Sequence, residues 1–269
     1  MKFKPRLSLL RSDEDARVSL SAPYLAEFKS QGNILYYLAA AHENSTTSKT
    51  FRLIEQCFQK FKIDLVILEG FKTARGVSPK DILESFLNGN EGDFFRGGES
   101  SFAAIAASQR GISFVGGEPE FVDIERHLKK CGYSSQDIEG FYFVQQVPQM
   151  RRDGSLARAS VECYWKSDKD QFSFSDFKNW YRQRNNKEFD AQNIPAEETA
   201  PWFHGELFTQ QISAQISTVR EKHIVQTIAD SMNQHEHVFV VYGAGHLAMQ
   251  ALILEDMLGK PVRECQGLE

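Results

Sequence analysis

The chain has 269 residues, 41% of them hydrophobic and 25% charged, with a formal net charge of −5. That length can bury a substantial core, and the composition is ordinary for a globular protein. A negative chain with no basic run or aromatic-interleaved basic stripe is a poor partner for nucleic acid or an anionic membrane.

The four cysteines, Cys57, Cys131, Cys163 and Cys265, show no short paired spacing, so no zinc ribbon or thioredoxin-like motif is expected. Cys57 and Cys131 fall on apolar helical stripes and read as small core side chains, the usage of a reducing compartment. The first ten residues lack the uninterrupted apolar run of a secretory leader, and no stretch approaches the ~18 apolar residues of a membrane span. The expectation is a cytoplasmic protein without a membrane span.

In chain order, residues 17–29 and 34–41 read as two strands joined by the turn Ser30-Gln31-Gly32-Asn33, an N-terminal β-hairpin. The second strand is continuously apolar, as in a strand covered on both faces. A cluster of helix-capping residue types, Asn44 to Thr47, follows His42. Phe51, Ile54, Phe58 and Phe61 then recur at helical spacing, so residues 47–61 form an amphipathic helix. Residues 64–68 are a buried strand ending at Glu69-Gly70, which completes a β–α–β unit and implies a parallel sheet.

Ser78-Pro79 opens a short helix through Leu87. Gly97-Gly98 leads into Glu99 and a helix that Gly111 stops, and residues 112–115 form a short strand ending at Gly116-Gly117-Glu118. Pro119 suits the first turn of the next helix, which Gly132 ends. From 134 to 204 the alternation gives way to helical pieces (136–147 and 174–184) joined by polar stretches. A long helix over 206–232 feeds the strand 237–242, the turn Gly243-Ala244-Gly245 and a last helix, 246–258. The expected architecture is one α/β domain over residues 1–269: a central, mostly parallel sheet flanked by helices, with the β-hairpin and a helical insertion at 134–204.

Four predicted strands end in or just before an ionisable residue: His42, Glu69, Glu118 and His246. In open α/β sheets ligands bind outside the carboxyl ends of the strands. Glycine or alanine flanks all four positions, which lets backbone and ligand approach closely. Two imidazoles and two carboxylates can hold a divalent metal that activates water. Without a metal, a Glu–His pair can act as general base. Spacing does not choose between these, because each residue comes from a different strand. The helix-borne zinc-protease signature, the serine-hydrolase elbow and the phosphate-binding glycine loop are all absent from the sequence.

Arg220 falls on one line with Ile212, Ile216, Ile224 and Ile228, so it points at the core and needs a carboxylate from Glu69, Glu99 or Glu118. It reads as a structural ion pair or an anion clamp. Glu99 opens a helix, where capping and a site role are equally natural. Asn44 and Ser48 can contact a ligand or cap a helix, and Tyr242 can place a hydroxyl near His246 or simply pack. His204 reads as a surface residue, and His127, His223, His235 and His237 as structural or solvated.

The runs LYYLAAAHENS, DLVILEG, GGES, GGEP, REKHIV and VVYGAGHL, in this order, resemble the superfamily that joins Tiki proteins, TraB/PrgY/GumN proteins, ChaN-like haem-binding proteins and erythromycin esterases. Its hallmark is a pair of Gly-x-x-His motifs with a strand glutamate and a late arginine between them. Gly243-Ala244-Gly245-His246 matches the second motif, Glu69 the strand carboxylate, Arg220 the arginine, and Glu99 with Glu118 the middle acids. The first motif departs, with Ala39-Ala40-Ala41-His42 carrying alanine where glycine is usual. The resemblance covers residues 17–119 and 206–262 and leaves the middle unmatched.

It implies a hydrolase-like residue set without fixing one reaction, since its members include metal-dependent proteases, lactone-opening esterases and haem or peptide binders. The sequence reading is therefore a hydrolase of an ester or peptide bond acting on a small-molecule or peptide substrate. Catalytic roles fall to His42, Glu69, Glu118, Arg220 and His246, with water activated by His42 with Glu69 or by a bound metal, and with Asn44, Ser48, Glu99 and Tyr242 at the substrate. His42, Glu69, Glu118 and His246 are the expected ligands of any Mn²⁺, Co²⁺ or Zn²⁺. The alternative is a protein that holds haem, a metal or a peptide there without turnover.

Overall fold

In the computed structural model of the chain, residues 2–16, 20–72, 92–152, 154–165 and 172–268 are described. The expected helix from Ser78 to Leu87 lies outside them. The apolar runs become six strands: β1 (Tyr24–Ser30), β2 (Asn33–Ala40), β3 (Leu65–Lys72), β4 (Ser113–Glu118), β5 (His237–Gly243) and β6 (Arg263–Cys265). They form one sheet of order β4-β3-β5-β2-β1-β6. The pairs β3–β4, β3–β5 and β2–β5 are parallel, and β1 is antiparallel to both β2 and β6. This is the expected mostly parallel α/β sheet with an N-terminal hairpin.

The hairpin closes through Gln31 and Gly32, both at positive φ (54° and 88°), a geometry whose twist matches that of the flanking strands. β1 begins at Tyr24, later than expected, immediately after Pro23, which has no N–H to give to a ladder. β3 and β4 run further than expected, so Glu69 and Glu118 belong to the strands themselves, and the β3–β4 register shifts between Leu68 and Lys72. The three-residue edge strand β6 is too short to leave a periodic signal in the sequence.

Both sheet faces are covered, which is why the central strands are continuously apolar. On one face, α1 (Lys49–Lys60) and α2 (Gly98–Gln109) bring Leu53, Ile54, Ala103 and Ala107 against Leu38, Val66, Phe239 and Val241. On the other, the C-terminal half of a long helix (Phe208–Met232) and the last helix (Ala244–Leu258) bring Ile224, Ile228, Leu247 and Leu254 against Tyr37, Ile67, Val238 and Val240. Cys57 is buried in the first of these layers, as expected.

The chain divides into two compact units: Met1–Arg11, Asp15–Glu120 and Arg220–Glu269 form one, and Ser12–Glu14 with Phe121–Val219 the other. The first contains the sheet. The second contains the expected 134–204 segment and is built from α3 (Phe121–Lys130), α4 (Ser135–Arg152), α5 (Phe174–Asn185) and the Phe208–Val219 part of the long helix, here α6. The last helix is α7. In the second unit Ile124, Leu128, Phe141 and Ile212 form one buried cluster, and Phe143, Val147, Phe177 and Tyr181 another. The Trp180 indole packs so closely on α4 that a Cβ at Gly140 would lie 2.6 Å from it. Cys131 corrects its core reading: it follows the last residue of α3 and is exposed. Among the described residues, no helix is long and apolar enough to cross a membrane.

One contact across the sheet is tight enough to test the packing. The fully buried Tyr242 ring reaches over β3 to β4, where a Cβ at Gly117 would collide with its hydroxyl oxygen. Gly117→Ala should therefore cost about 1–3 kcal/mol of stability by overpacking. Adding Tyr242→Phe removes the clashing oxygen and should recover most of that loss, read as non-additive urea-unfolding free energies. Strict additivity would refute the contact.

Candidate functional site

Strand order brings the predicted residues to one edge. β4, β3, β5 and β2 lie side by side and parallel, with Leu68 opposite both Gly116 and Val241, and Ala40 opposite Gly243. Their carboxyl ends therefore present Glu118, Glu69, Gly243 and His42 in that order. Gly243 closes β5 and caps α7, which places His246 in the first turn of the helix.

His246 is held between two carboxylates. Its Nδ1 lies 2.5 Å from Glu221 Oε1 and its Nε2 3.1 Å from Glu69 Oε1. Glu221, on α6 and almost fully buried, also accepts a 2.6 Å hydrogen bond from the Gln250 amide on α7. Burial alone would lower the pKa of His246, but the hydrogen bonds and charges of Glu221 and Glu69 outweigh it and raise the imidazole to about 10. His246 is thus a cation at neutral pH, donating from both nitrogens.

Glu69 is the hub. Beside the bond to His246, its Oε2 accepts a 2.8 Å hydrogen bond from the Gly243 N–H, and Arg220 lies 3.6 Å from Oε1. Burial pushes its pKa up, but His246 and the Gly243 amide prevail and hold it at about 2. Arg220 grips Glu118 with two bonds of 2.8 and 2.9 Å, the bidentate geometry that fits guanidinium to carboxylate. Burial raises the pKa of Glu118, and the Arg220 contact more than reverses it. The Tyr242 hydroxyl donates a longer 3.4 Å bond to Glu118. The partner that the isoleucine stripe demands for Arg220 is therefore Glu118.

His42 belongs to a second pair. Its Nδ1 sits 2.6 Å from Glu99 Oε1, and Glu99 Oε2 accepts from the Glu43 N–H at 3.4 Å. The loop after β2 is pinned to the segment before α2 by Thr46 N–H to Asp93 O (2.8 Å) and Phe95 N–H to Asn44 O (2.6 Å). Gly97 and Gly98, both at positive φ, then turn the chain so that Glu99 enters α2 beside His42. The hydrogen bond to Glu99 raises the pKa of His42, against burial and with help from Glu69. Unlike His246, the His42 side chain is open, 66% exposed against 12%. It stands on a cavity of about 390 Å³ lined by Glu43, Asn44, Glu69, Glu99 and Ser100, among others. The glycine at 243 makes room for the ring, since a Cβ there would lie 2.7 Å from Nε2.

The structure thus sorts the predicted residues. His42, Glu69, Glu99 and Asn44 line the cavity; Glu118, Arg220 and His246 form a largely enclosed ionic network joined to it through Glu69. Ser48 caps α1, accepting from Phe51 N–H, and Tyr242 is fully buried. Glu221, Gln250 and Glu43 were not singled out from the sequence. Glu221 had a readable signal, because it precedes the buried Ile224, Val225 and Ile228 at helical spacing. Of the other histidines, His237 hydrogen-bonds Asp64 and His127 hydrogen-bonds Gln215.

The four residues expected as metal ligands do not fit that role in this arrangement. Both nitrogens of His246 are turned to carboxylates, and both oxygens of Glu118 to Arg220. Among the described residues, no group of three or more His, Cys, Asp or Glu is arranged to hold a metal ion.

The network gives stability a pH signature. The His246 contribution is complete below the ordinary histidine pKa of 6.5 and lost as pH rises towards about 10. The Glu69 contribution is complete above 4.5 and lost as pH falls towards about 2. Unfolding free energy should therefore be highest between these windows. His246→Leu should flatten the alkaline limb and cost about 3–5 kcal/mol, because it leaves Glu221 buried without its cation. Urea titrations at pH 5, 7 and 9 would show both effects.

No protein-family model matches the chain, and no curated protein or solved structure matches it.

Proposed function

We propose that this chain hydrolyses an ester or peptide bond with His42 as general base and Glu99 as the carboxylate that orients it. The observation that carries the reading is the 2.6 Å Nδ1–Glu99 contact on a ring that stands open on a cavity lined by Glu43, Glu69 and Glu99. With Nδ1–H donated to Glu99, Nε2 is the basic nitrogen and can take a proton from an attacking water. The imidazolium formed in that step is stabilised by Glu99 and Glu69, and it can return the proton to the leaving group. Glu69 stays ionised because His246, Arg220 and the Gly243 amide hold it so.

The first turn of α2 supplies the complementary charge. Glu99, Ser100 and Ser101 line the cavity at the helix N-terminus, where peptide N–H groups lack intrahelical acceptors and the helix dipole is positive. Such donors suit the oxyanion that develops on the substrate carbonyl. This assigns the base differently from the sequence reading: the orienting acid is Glu99, and Glu69 is the anchored electrostatic partner. The resemblance to the superfamily of Tiki proteins and erythromycin esterases favours the same class of reaction. Haem is a poorer match, because among the described residues Phe71 is the only phenylalanine, tyrosine or tryptophan lining this cavity and three of the lining side chains are carboxylates.

The test is turnover of p-nitrophenyl esters and a fluorogenic peptide by purified protein. His42→Ala should lower kcat/KM by at least about 100-fold, the scale of a lost general base. Wild-type activity should rise with pH through a midpoint above 6.5, because the His42 pKa is raised, and Glu99→Gln should move that midpoint down. Gly243→Ala, which crowds His42, should lower kcat with little loss of stability. Undiminished turnover in His42→Ala, or an unmoved midpoint in Glu99→Gln, would overturn the assignment.

A further inference from the structure

A cavity of about 620 Å³ lies in the second unit and has no part in the chemistry above. Its two long walls are helical faces. Phe121, Glu125 and Lys129 recur at i, i+4 and i+8 on α3; Ile138, Glu139, Tyr142 and Phe143 stand on α4. Tyr164 and Trp165 close one side. The polar tips of that pair are used elsewhere: the Tyr164 hydroxyl donates to Ser155 O at 2.9 Å and the Trp165 indole N–H to Phe172 O at 3.0 Å. What they contribute to the cavity is ring surface. Phe121 packs on Tyr142 with ring centres 5.4 Å apart, and Phe143 meets Trp165 edge-on at 4.8 Å. Phe121 remains 44% exposed.

Charge narrows the occupant. Glu125 and Lys129 neutralise each other at 2.6 Å, whereas Glu139 has no ion-pair partner among the described residues. Among its described residues the cavity therefore combines five aromatic rings with one carboxylate that has no ion-pair partner. An anion would be repelled by Glu139, and a neutral apolar molecule would desolvate that carboxylate without replacing its water. A monocation with an apolar shell satisfies both features, through cation–π contact with the rings and Coulomb attraction to Glu139.

We infer that this cavity is a binding site for a small organic cation of the quaternary or tertiary ammonium class. The test uses the full chain titrated with benzyltrimethylammonium and, separately, with neopentylbenzene, its uncharged isostere, following Trp fluorescence and ligand-observed NMR. The cation should bind at least about 10-fold more tightly than the isostere, within the range of cation–π and ion-pair contributions. Glu139→Gln should remove most of that preference, and Trp165→Phe should weaken cation binding, both with an unchanged circular dichroism spectrum and unchanged His42-dependent turnover. Equal affinity for cation and isostere, a preference that survives Glu139→Gln, or no binding of the cation would each overturn the inference.

Discussion

The clamp of His246 between Glu221 and Glu69 is the interaction on which the site depends. It ties three separate elements together, since Glu221 comes from α6, His246 from the start of α7 and Glu69 from β3. Neither carboxylate could be buried at such a point without a nearby cation, because desolvated charge is costly unless paired and hydrogen-bonded. The imidazolium meets that requirement for both. In doing so it fixes the first turn of α7 against the sheet and sets the position of Glu69 at the mouth of the cavity.

From that clamp the rest of the edge follows by charge balance. Glu69, Glu118 and Glu221 are matched by His246 and Arg220, with Arg220 spending both its strong contacts on Glu118. One negative charge remains, and it sits on the side that faces His42. Glu99 adds another at the far side of the same ring. His42 is thereby placed between two acids while its ring stays open, so a proton on it is stabilised without being locked in. His246, buried between its acids, is held protonated. Two histidines that look equivalent as strand-end residues are given opposite tasks by exposure: one can exchange a proton, and the other serves as a fixed charge.

Steric clearance completes the arrangement. Gly243 has an unexceptional backbone, and its requirement is space, because any side chain would occupy the volume of the His42 ring. Gly117 meets the same need for Tyr242 one layer below. These glycines are where the close approach of neighbouring strand ends becomes possible, and the ionic network is compact because of them.

The sequence by itself determined the sheet class, the β-hairpin, the helices flanking the strands, and the set of ionisable residues at the strand ends. These are local or periodic signals: apolar runs of strand length, helical stripes such as Ile212 to Ile228, and polar residues where a buried strand must emerge. Periodicity also demanded a carboxylate for Arg220 and would have exposed Glu221 by the same reasoning. It could not say which acid meets which base. Those partners are 57, 177, 25 and 102 residues apart for Glu99–His42, Glu69–His246, Glu221–His246 and Glu118–Arg220. Their pairing was decided by tertiary structure, because β5 inserts between β3 and β2 and carries Gly243 and the start of α7 between Glu69 and His42. Strand order is a property of the whole packed sheet, so no local pattern in the chain encodes it.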